Sequence, residues 1–130
     1  MAKPISRDVH ALLDYGFAAT NLAVPKLLGM SAKACLLYGG FGLVQGAVNS
    51  LTEHKYAIKK VIPFATHGKI DAVSAPVAIL APLLLGLHRE PAARAYWIGS
   101  GAALVAEYFL TNWDSNRPFK GQGGALGDRY

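Results

Sequence analysis

Four long apolar segments dominate the pattern of hydrophobic and polar positions along this chain: Val9–Leu28, Ala34–Leu51, Ile70–Leu87 and Ala95–Trp113. Each contains about 18–20 residues, which is the length of a helix that crosses the hydrocarbon layer of a bilayer. No charged residue falls between Ala34 and Thr52 or between Ala72 and His88. The pattern therefore predicts an all-α fold, a bundle of four transmembrane helices.

The chain contains two copies of one helical hairpin. When His10–Gly29 is aligned with His67–Gly86, at an offset of 57, seven of twenty residues are identical. The second helices align at an offset of 59, which pairs Thr52 with Thr111. We therefore predict a single membrane domain, 1–130, with two parallel hairpin repeats, about 5–52 and about 62–111, and an extended C-terminal tail, 114–130. Two spans in each copy insert both copies in the same orientation.

The composition supports this prediction and excludes other classes of protein. Hydrophobic residues make up 52% of the chain and charged residues only 16%, against roughly 25% charged in typical soluble domains. Such a content excludes intrinsic disorder. The one cysteine, Cys35, excludes an internal disulfide framework and a cysteine-based zinc site. Gly42 and Gly46 form a small-xxx-small pair, which is typical of closely packed membrane helices.

The distribution of lysine and arginine predicts the topology. Eight of these residues fall in the N-terminal arm, the middle loop and the tail, against four in the two short turns. The positive-inside rule then predicts a multi-pass protein of the bacterial inner membrane with both termini in the cytoplasm. We attribute the net charge of +5 to this topology and to contact with the lipid bilayer. No basic patch with aromatic residues is evident, so we expect no nucleic-acid binding.

Each copy opens with His-x-x-x-Asp, and its first helix closes with Pro-x-Leu-Leu-Gly at Pro25–Gly29 and Pro82–Gly86. We expect both glycines to adopt the left-handed conformation that ends a helix. The pattern resembles the SPW-repeat family of small bacterial and archaeal membrane proteins, although Ser and Trp are absent around Pro25 and Pro82. Small four-helix membrane proteins of the DoxX type are a looser match. The SPW resemblance implies a four-helix membrane fold over about residues 5–113 and no particular activity.

Ionisable residues inside the apolar segments are the candidates for chemistry. His10 and Asp14 are four residues apart and share a helix face, and His67 and Asp71 repeat this spacing. The repeat is expected to bring both pairs together at one end of the bundle, with Glu107 at the depth of Asp71. Ionisable groups in such segments are costly, so each one is a functional hypothesis.

These residues fit several roles. All five together have the donors of a divalent metal site, and His10 and His67 alone could bind a haem through its two axial positions. The cluster could also contact a quinone, relay protons, or serve only as a structural clasp. No nucleophile triad, phosphate-binding loop or dinucleotide fingerprint occurs. We therefore name no catalytic residue and expect a non-enzymatic protein.

The tail is polar and rich in glycine, and it has no helical periodicity. We expect it to lie on another protein, with Phe119, Leu126 and Tyr130 as anchors. The protein is accordingly predicted to be a small accessory or stabilising subunit of a larger membrane-protein complex, or part of a homo-oligomer. The alternative is a membrane redox or cofactor-binding protein that uses its two His-x-x-x-Asp motifs.

Overall fold

Four α-helices make up the described part of the chain, which confirms the prediction of an all-α fold. A computed structural model describes residues 3–114. Its helices are α1 (Arg7–Leu27), α2 (Ala32–Ser50), α3 (Phe64–Leu84) and α4 (Pro91–Leu110), and a short 3₁₀ turn, Leu87–Arg89, precedes α4. Most of the predicted tail, including its expected anchors Phe119, Leu126 and Tyr130, lies outside the described residues.

Serine side chains cap the beginnings of α1 and α2. The hydroxyl of Ser6 accepts a hydrogen bond from the backbone N–H of Val9 at 3.3 Å, and Ser31 caps α2 in the same way. Helix α3 begins directly after Pro63, six residues before the apolar segment predicted for it. The predicted apolar segment therefore began too late, because it left out the first turns of α3, which contain polar side chains.

Both odd-numbered helices end at a glycine in the left-handed conformation, as predicted. Gly29 has φ 62° and Gly86 has φ 74°. At the first of these ends the N–H of Met30 donates to the carbonyl of Pro25 at 2.9 Å, and the N–H of Gly29 donates to that of Lys26 at 3.1 Å. These two bonds form a Schellman motif, which satisfies carbonyls left free at the helix end.

The predicted membrane spans are wrong. Within residues 3–114, no helix combines the length and the apolar character that crossing a membrane requires. Charged residues interrupt α1, α3 and α4, while glycine, asparagine and glutamine reduce the hydropathy of α2. The transmembrane fold, the multi-pass inner-membrane location and the cytoplasmic position of both termini are therefore corrected, and the expected contact with a lipid bilayer loses its basis.

The hairpins α1–α2 and α3–α4 have equivalent boundaries. Helix α3 begins and ends 57 residues after α1, and α4 begins 59 residues after α2. Two isolated parallel bridges are equivalent as well, because Ile5 pairs with Thr111 and Ile62 pairs with Thr52. Each bridge joins the residue before an odd-numbered helix to the residue after an even-numbered one. The beginning of α1 is thereby attached to the end of α4, and the beginning of α3 to the end of α2.

The two ends of the bundle differ in chemistry. The connecting turns meet at one end, the turn end, where the N–H of Ser31 donates to a carboxylate oxygen of Glu90 at 3.3 Å. An apolar core lies at this end and contains Met30, Ala34, Tyr38, Leu87 and Ala93. The opposite end, the cluster end, contains the beginnings of α1 and α3 and buries mainly polar side chains.

The helices are unevenly spaced. Helix α1 packs along much of α2, whereas α2 and α3 approach each other at few positions. Gly42 permits the close packing of α1 and α2, because a Cβ atom there would lie 2.8 Å from the carbonyl oxygen of Ala18. Gly42, which the sequence predicts to pack closely against another helix, packs against α1.

We predict that Gly42→Ala lowers the free energy of unfolding by about 1–3 kcal/mol, because a backbone oxygen cannot move away from the added methyl group. Gly16→Ala is the matched control: a Cβ atom there meets nothing within 4 Å, so the substitution should be neutral or stabilise α1 by up to about 1 kcal/mol. Urea denaturation followed by circular dichroism measures both. Equal stability of the two variants would contradict this close packing of α1 and α2.

Candidate metal centre

Four ionisable side chains converge at the cluster end. His10 and Asp14 lie on one face of α1, and His67 and Asp71 lie on one face of α3. Each residue offers one nitrogen or oxygen atom, and these four atoms all lie within 4.8 Å of one another. The expected convergence of the two His-x-x-x-Asp motifs is therefore present.

The spacing of the four atoms is close to that of ligands around one ion. His10 Nε2 lies 3.4 Å from Asp14 Oδ2 and 3.3 Å from Asp71 Oδ2. His67 Nε2 lies 3.0 Å and 3.4 Å from the same two oxygens. A tetrahedral zinc ion with bonds of 2.0–2.1 Å separates its ligand atoms by about 3.3–3.4 Å. The four nitrogen–oxygen separations therefore approach this value, while the full set of atoms lies within 4.8 Å.

The same atoms do not form well-directed hydrogen bonds with one another. Both Nε2 atoms and Asp14 Oδ2 are buried without a hydrogen-bond partner among residues 3–114. The second oxygen of Asp14 is occupied, because the side-chain amide of Gln45 donates to Oδ1 at 3.0 Å. The oxygen left for the cluster is Oδ2, and it faces both imidazole rings.

A threonine sets the orientation of each imidazole. The hydroxyl of Thr52 donates to the carbonyl of Val48 at 2.7 Å, and its oxygen lies 2.7 Å from Nδ1 of His67. A hydroxyl has one proton, so the Thr52 oxygen must accept the second bond from Nδ1–H. In a neutral imidazole with its proton on Nδ1, Nε2 carries no proton, and its lone pair is directed at the cluster.

His10 has an equivalent arrangement. Its Nδ1 lies 2.9 Å from the hydroxyl oxygen of Thr111, which donates its own proton to the carbonyl of Glu107 at 2.6 Å. The two parallel bridges place Thr52 and Thr111 in these positions. Metal-ligating histidines usually donate their second ring N–H to a fixed acceptor in this manner.

An aromatic group closes the cluster end. The ring of Trp113 stacks on Phe64 at a centroid distance of 5.0 Å and meets the edge of His10 at 4.8 Å. Gly68 makes room for it, because a Cβ atom there would lie 2.7 Å from the indole ring. His10 and His67 are 1% exposed and Asp14 is 2% exposed, whereas the side chain of Asp71 is 25% exposed. Asp71 is thus the member of the cluster nearest to solvent.

Without a metal, the cluster is a set of ion pairs. Burial by itself lowers the pKa of His10, but the contacts with Asp14 and Asp71 outweigh burial and raise this pKa to about 10. Burial also lowers the pKa of His67, but its contacts with the same two carboxylates outweigh burial and raise this pKa to about 9. Burial favours a protonated Asp14, but the two imidazoles lower its pKa to about 2. At neutral pH both rings are therefore protonated and Asp14 is ionised.

Glu107 lies behind His10 rather than among the four converging atoms. Its Oε1 is 3.3 Å from Nδ1 of His10, on the side of the ring that faces Thr111. Burial raises the pKa of Glu107 to about 8. The equivalent position in the other hairpin is Val48, so only one of the two imidazoles has a carboxyl group behind it.

The geometry bears on one of the alternatives that the sequence left open, a haem held between His10 and His67. The ring centroids of His10 and His67 are 5.3 Å apart, and the carboxylates of Asp14 and Asp71 contact both rings. This arrangement has space for one ion and none for a haem macrocycle between the rings. Sequence reasoning did not assign Thr52, Thr111, Gln45 or Trp113 to the site, and the only signal was the identity of the two threonines in the repeat alignment.

Another buried histidine, His54, is outside the cluster. Its Nε2 donates to the carbonyl of Asn49 at 2.7 Å, and its Nδ1 accepts from the N–H of Tyr56 at 3.1 Å. Burial lowers the pKa of His54. Because both ring nitrogens are occupied, His54 is a neutral structural residue of the 51–62 loop.

Comparison with known proteins finds no relative: no family model, no curated protein and no solved structure matches this chain. The resemblance to the SPW-repeat family therefore stays a prediction from the sequence, as does the looser similarity to DoxX-type proteins. What the site does must follow from its own residues and their geometry.

We predict that the metal-free protein loses stability as the pH rises from about 6.5 to about 10. His10 and His67 have raised pKa values, so their stabilising contribution is complete below the unfolded value of 6.5 and is lost as the pH rises through about 9 and 10. The pKa of Glu107 is raised from 4.5 to about 8, so its contribution to stability is also lost as the pH rises through this range. Asp14 contributes above 3.8 and loses its contribution as the pH falls toward about 2.

Urea denaturation in the presence of a chelator, repeated across this pH range, measures the effect. His67→Gln should flatten the decline, while His88→Gln, which removes a histidine outside the cluster, should leave it unchanged. A stability that stays constant or increases between pH 6.5 and about 9 would show that the two imidazoles are not protonated in the folded protein.

Proposed function

We propose that the protein binds one divalent transition metal ion, with Zn²⁺ as the best fit, through His10, Asp14, His67 and Asp71. Two imidazole nitrogens and two carboxylate oxygens are suitable donors for Zn²⁺, and they suit Mg²⁺ or Ca²⁺ poorly because those ions prefer oxygen. The observation that carries the proposal is the convergence of two imidazole nitrogens and two carboxylate oxygens, with each nitrogen 3.0–3.4 Å from both oxygens.

The charge of the site supports the same ion. Two neutral imidazoles and two carboxylates have a total charge of −2, which a divalent cation neutralises. In a buried site an uncompensated charge is costly, so a divalent ion is the simplest replacement for the two protons that the imidazoles carry without it. Binding should therefore release protons from His10 and His67.

The position of the ion suggests what it does. One histidine and one aspartate come from each hairpin, so a bound ion would connect α1 to α3. Four protein ligands in a tetrahedral arrangement are typical of structural zinc sites. The proposed role is a metal-stabilised bundle in which Thr52 and Thr111 orient the ligands and Trp113 limits access by water.

We predict that the purified protein binds one Zn²⁺ per chain, with release of up to two protons near pH 7 and a higher unfolding temperature. Isothermal titration calorimetry in two buffers of different ionisation enthalpy counts the protons, and elemental analysis after dialysis gives the stoichiometry. Asp14→Asn should weaken binding by more than the roughly 10- to 100-fold that is typical of lost outer-shell contacts. Asp114→Asn, the matched control, removes the same charge from an exposed position and should bind normally.

Thr52→Val extends this test to the orientation of the ligands. The change keeps the shape of the side chain but removes the acceptor for Nδ1–H of His67, so zinc affinity should fall about 10- to 100-fold. The absence of stoichiometric zinc, or equal zinc affinity in Asp14→Asn and Asp114→Asn, would overturn the metal site. A normal affinity in Thr52→Val would overturn the orienting role alone.

We also propose, as a second function, that the protein is a subunit of a larger protein assembly or a homo-oligomer. The supporting observation is the large number of exposed apolar side chains, among them Leu36 at 78%, Val73 at 71%, Leu84 at 83% and Phe109 at 65%. Leu36 and Val73 line one groove between α2 and α3, and contiguous exposed apolar surface usually marks an interaction site. It is spread over several helices rather than confined to one turn.

We predict that the purified chain is larger than its monomer mass of 13.8 kDa in light-scattering measurements. Phe109→Gln should shift the distribution toward the monomer, because it removes exposed apolar surface. Lys59→Gln changes an exposed polar residue and serves as the control. A monodisperse monomer that stays soluble at high concentration would contradict the assembly role and would leave the metal site unaffected.

A further inference from the structure

A cavity of about 120 Å³ lies between the four helices, next to the metal centre. It begins at His10 and Asp14 and extends toward the turn end, where Tyr38 contributes to its wall. Between these ends the wall is mainly apolar and includes Phe17, Phe41, Ile70, Ala78 and Leu104. The cavity thus has ionisable residues at one end and a mainly apolar wall beyond them.

The volume of the cavity limits what fits. An engineered apolar cavity of roughly 150 Å³ binds benzene, while pockets for drug-sized molecules measure about 300–1,000 Å³. A volume of about 120 Å³ is therefore suited to a molecule of about one ring. Larger cofactors are excluded unless the helices separate.

Tyr38 provides a polar group that no residue of the described chain satisfies. Its side chain is 4% exposed, and its hydroxyl is buried without a hydrogen-bond partner among residues 3–114. The neighbouring Tyr96 differs, because its hydroxyl donates to Asn21 at 2.5 Å. An unsatisfied buried hydroxyl costs roughly 1–3 kcal/mol, and a ligand oxygen in the cavity would remove this cost.

The gap between α2 and α3 offers a route into the cavity. Phe41, Val44, Ile70 and Ser74 line the cavity and also an open groove on the outer surface. Val44 is 64% exposed and Val73, on the other side of the groove, is 71% exposed. The approach is therefore lined mainly by apolar side chains, with Thr66 and Lys69 as polar members, which favours a mostly apolar molecule.

We infer that the central cavity binds a small, neutral, mostly apolar molecule of about one ring in size, whose hydroxyl or carbonyl oxygen pairs with Tyr38. The molecule enters through the groove between α2 and α3. The cavity adjoins the proposed metal site, because all four proposed ligands also contribute to its wall. The groups on which the inference rests, the Tyr38 hydroxyl and the apolar part of the wall, are not metal ligands.

Phenol and benzene are the probes, titrated into the full chain after treatment with a chelator and followed by two-dimensional NMR. Phenol should bind with a stoichiometry of one and shift resonances of cavity residues. Ala78→Leu should weaken phenol at least tenfold, because it fills part of the cavity about 10 Å along α3 from Asp71. Ala102→Leu adds the same atoms at an exposed position of α4 and should leave the affinity unchanged.

Tyr38→Phe tests the polar end of the cavity. Loss of the hydroxyl should weaken phenol by about 3- to 10-fold and leave benzene unchanged. Non-saturable binding of phenol, or equal affinities for Ala78→Leu and Ala102→Leu, would overturn the cavity site. Equal losses of phenol and benzene in Tyr38→Phe would overturn the pairing with Tyr38.

Zinc titration of the same variants keeps the two proposals separate. Ala78→Leu and Tyr38→Phe leave all four ligands in place, so each should bind zinc as the unaltered chain does. If phenol binds and zinc does not, the cavity site stands and the metal function fails. If zinc binds and phenol does not, the opposite holds.

Discussion

The rest of this structure depends on one constraint: two imidazoles and two carboxylates lie close together in a largely buried position. Charges placed so far from water are costly unless each one is compensated at short range. The four atoms within 4.8 Å of one another achieve this either as ion pairs or around a divalent ion. Both solutions require the beginnings of α1 and α3 to approach each other. The parallel bridges attach these beginnings to the ends of α4 and α2, and the Trp113 ring contacts both His10 and His67.

The two hairpins orient each other's ligands. Thr52 ends the first hairpin and accepts from His67 of the second, while Thr111 ends the second hairpin and accepts from His10 of the first. Neither histidine would have its acceptor if the hairpins were separated. The symmetry is broken where it affects packing and charge: Trp113 stands at the position of His54, and Glu107 at that of Val48. This asymmetry gives the site one closed aromatic side and one imidazole with a carboxyl group behind it.

The uneven spacing of the helices explains how one small bundle contains both a dense core and a cavity. Gly42 brings α1 against α2, and the turn end is closed by Leu87 and its neighbours. The wider separation of α2 from α3 leaves the central space bordered by Tyr38 and the cluster. Metal binding and ligand binding would therefore use adjacent but chemically different regions.

The sequence by itself determined the helical fold, the two equivalent hairpins, the glycine-terminated turns and the convergence of His10, Asp14, His67 and Asp71. Periodicity and capping chemistry among neighbouring residues predict the helices and their ends, and the repeat at an offset of 57 predicts the equivalent hairpins and the convergence. The membrane assignment was wrong because the apolar segments were judged by their length, whereas the helices also include polar residues, among them the first turns of α3.

Only the tertiary structure decided which atoms face the cluster. The hydrogen bonds of His67 with Thr52 and of His10 with Thr111 fix the two ring tautomers, and Glu107 lies behind His10. These contacts join residues from different helices or loops. The packing of the helices also leaves the hydroxyl of Tyr38 without a partner among the described residues. Spacing along one helix predicts which side chains share a face. The direction of a lone pair depends on partners that other helices bring to it, and that information exists only once the bundle has packed.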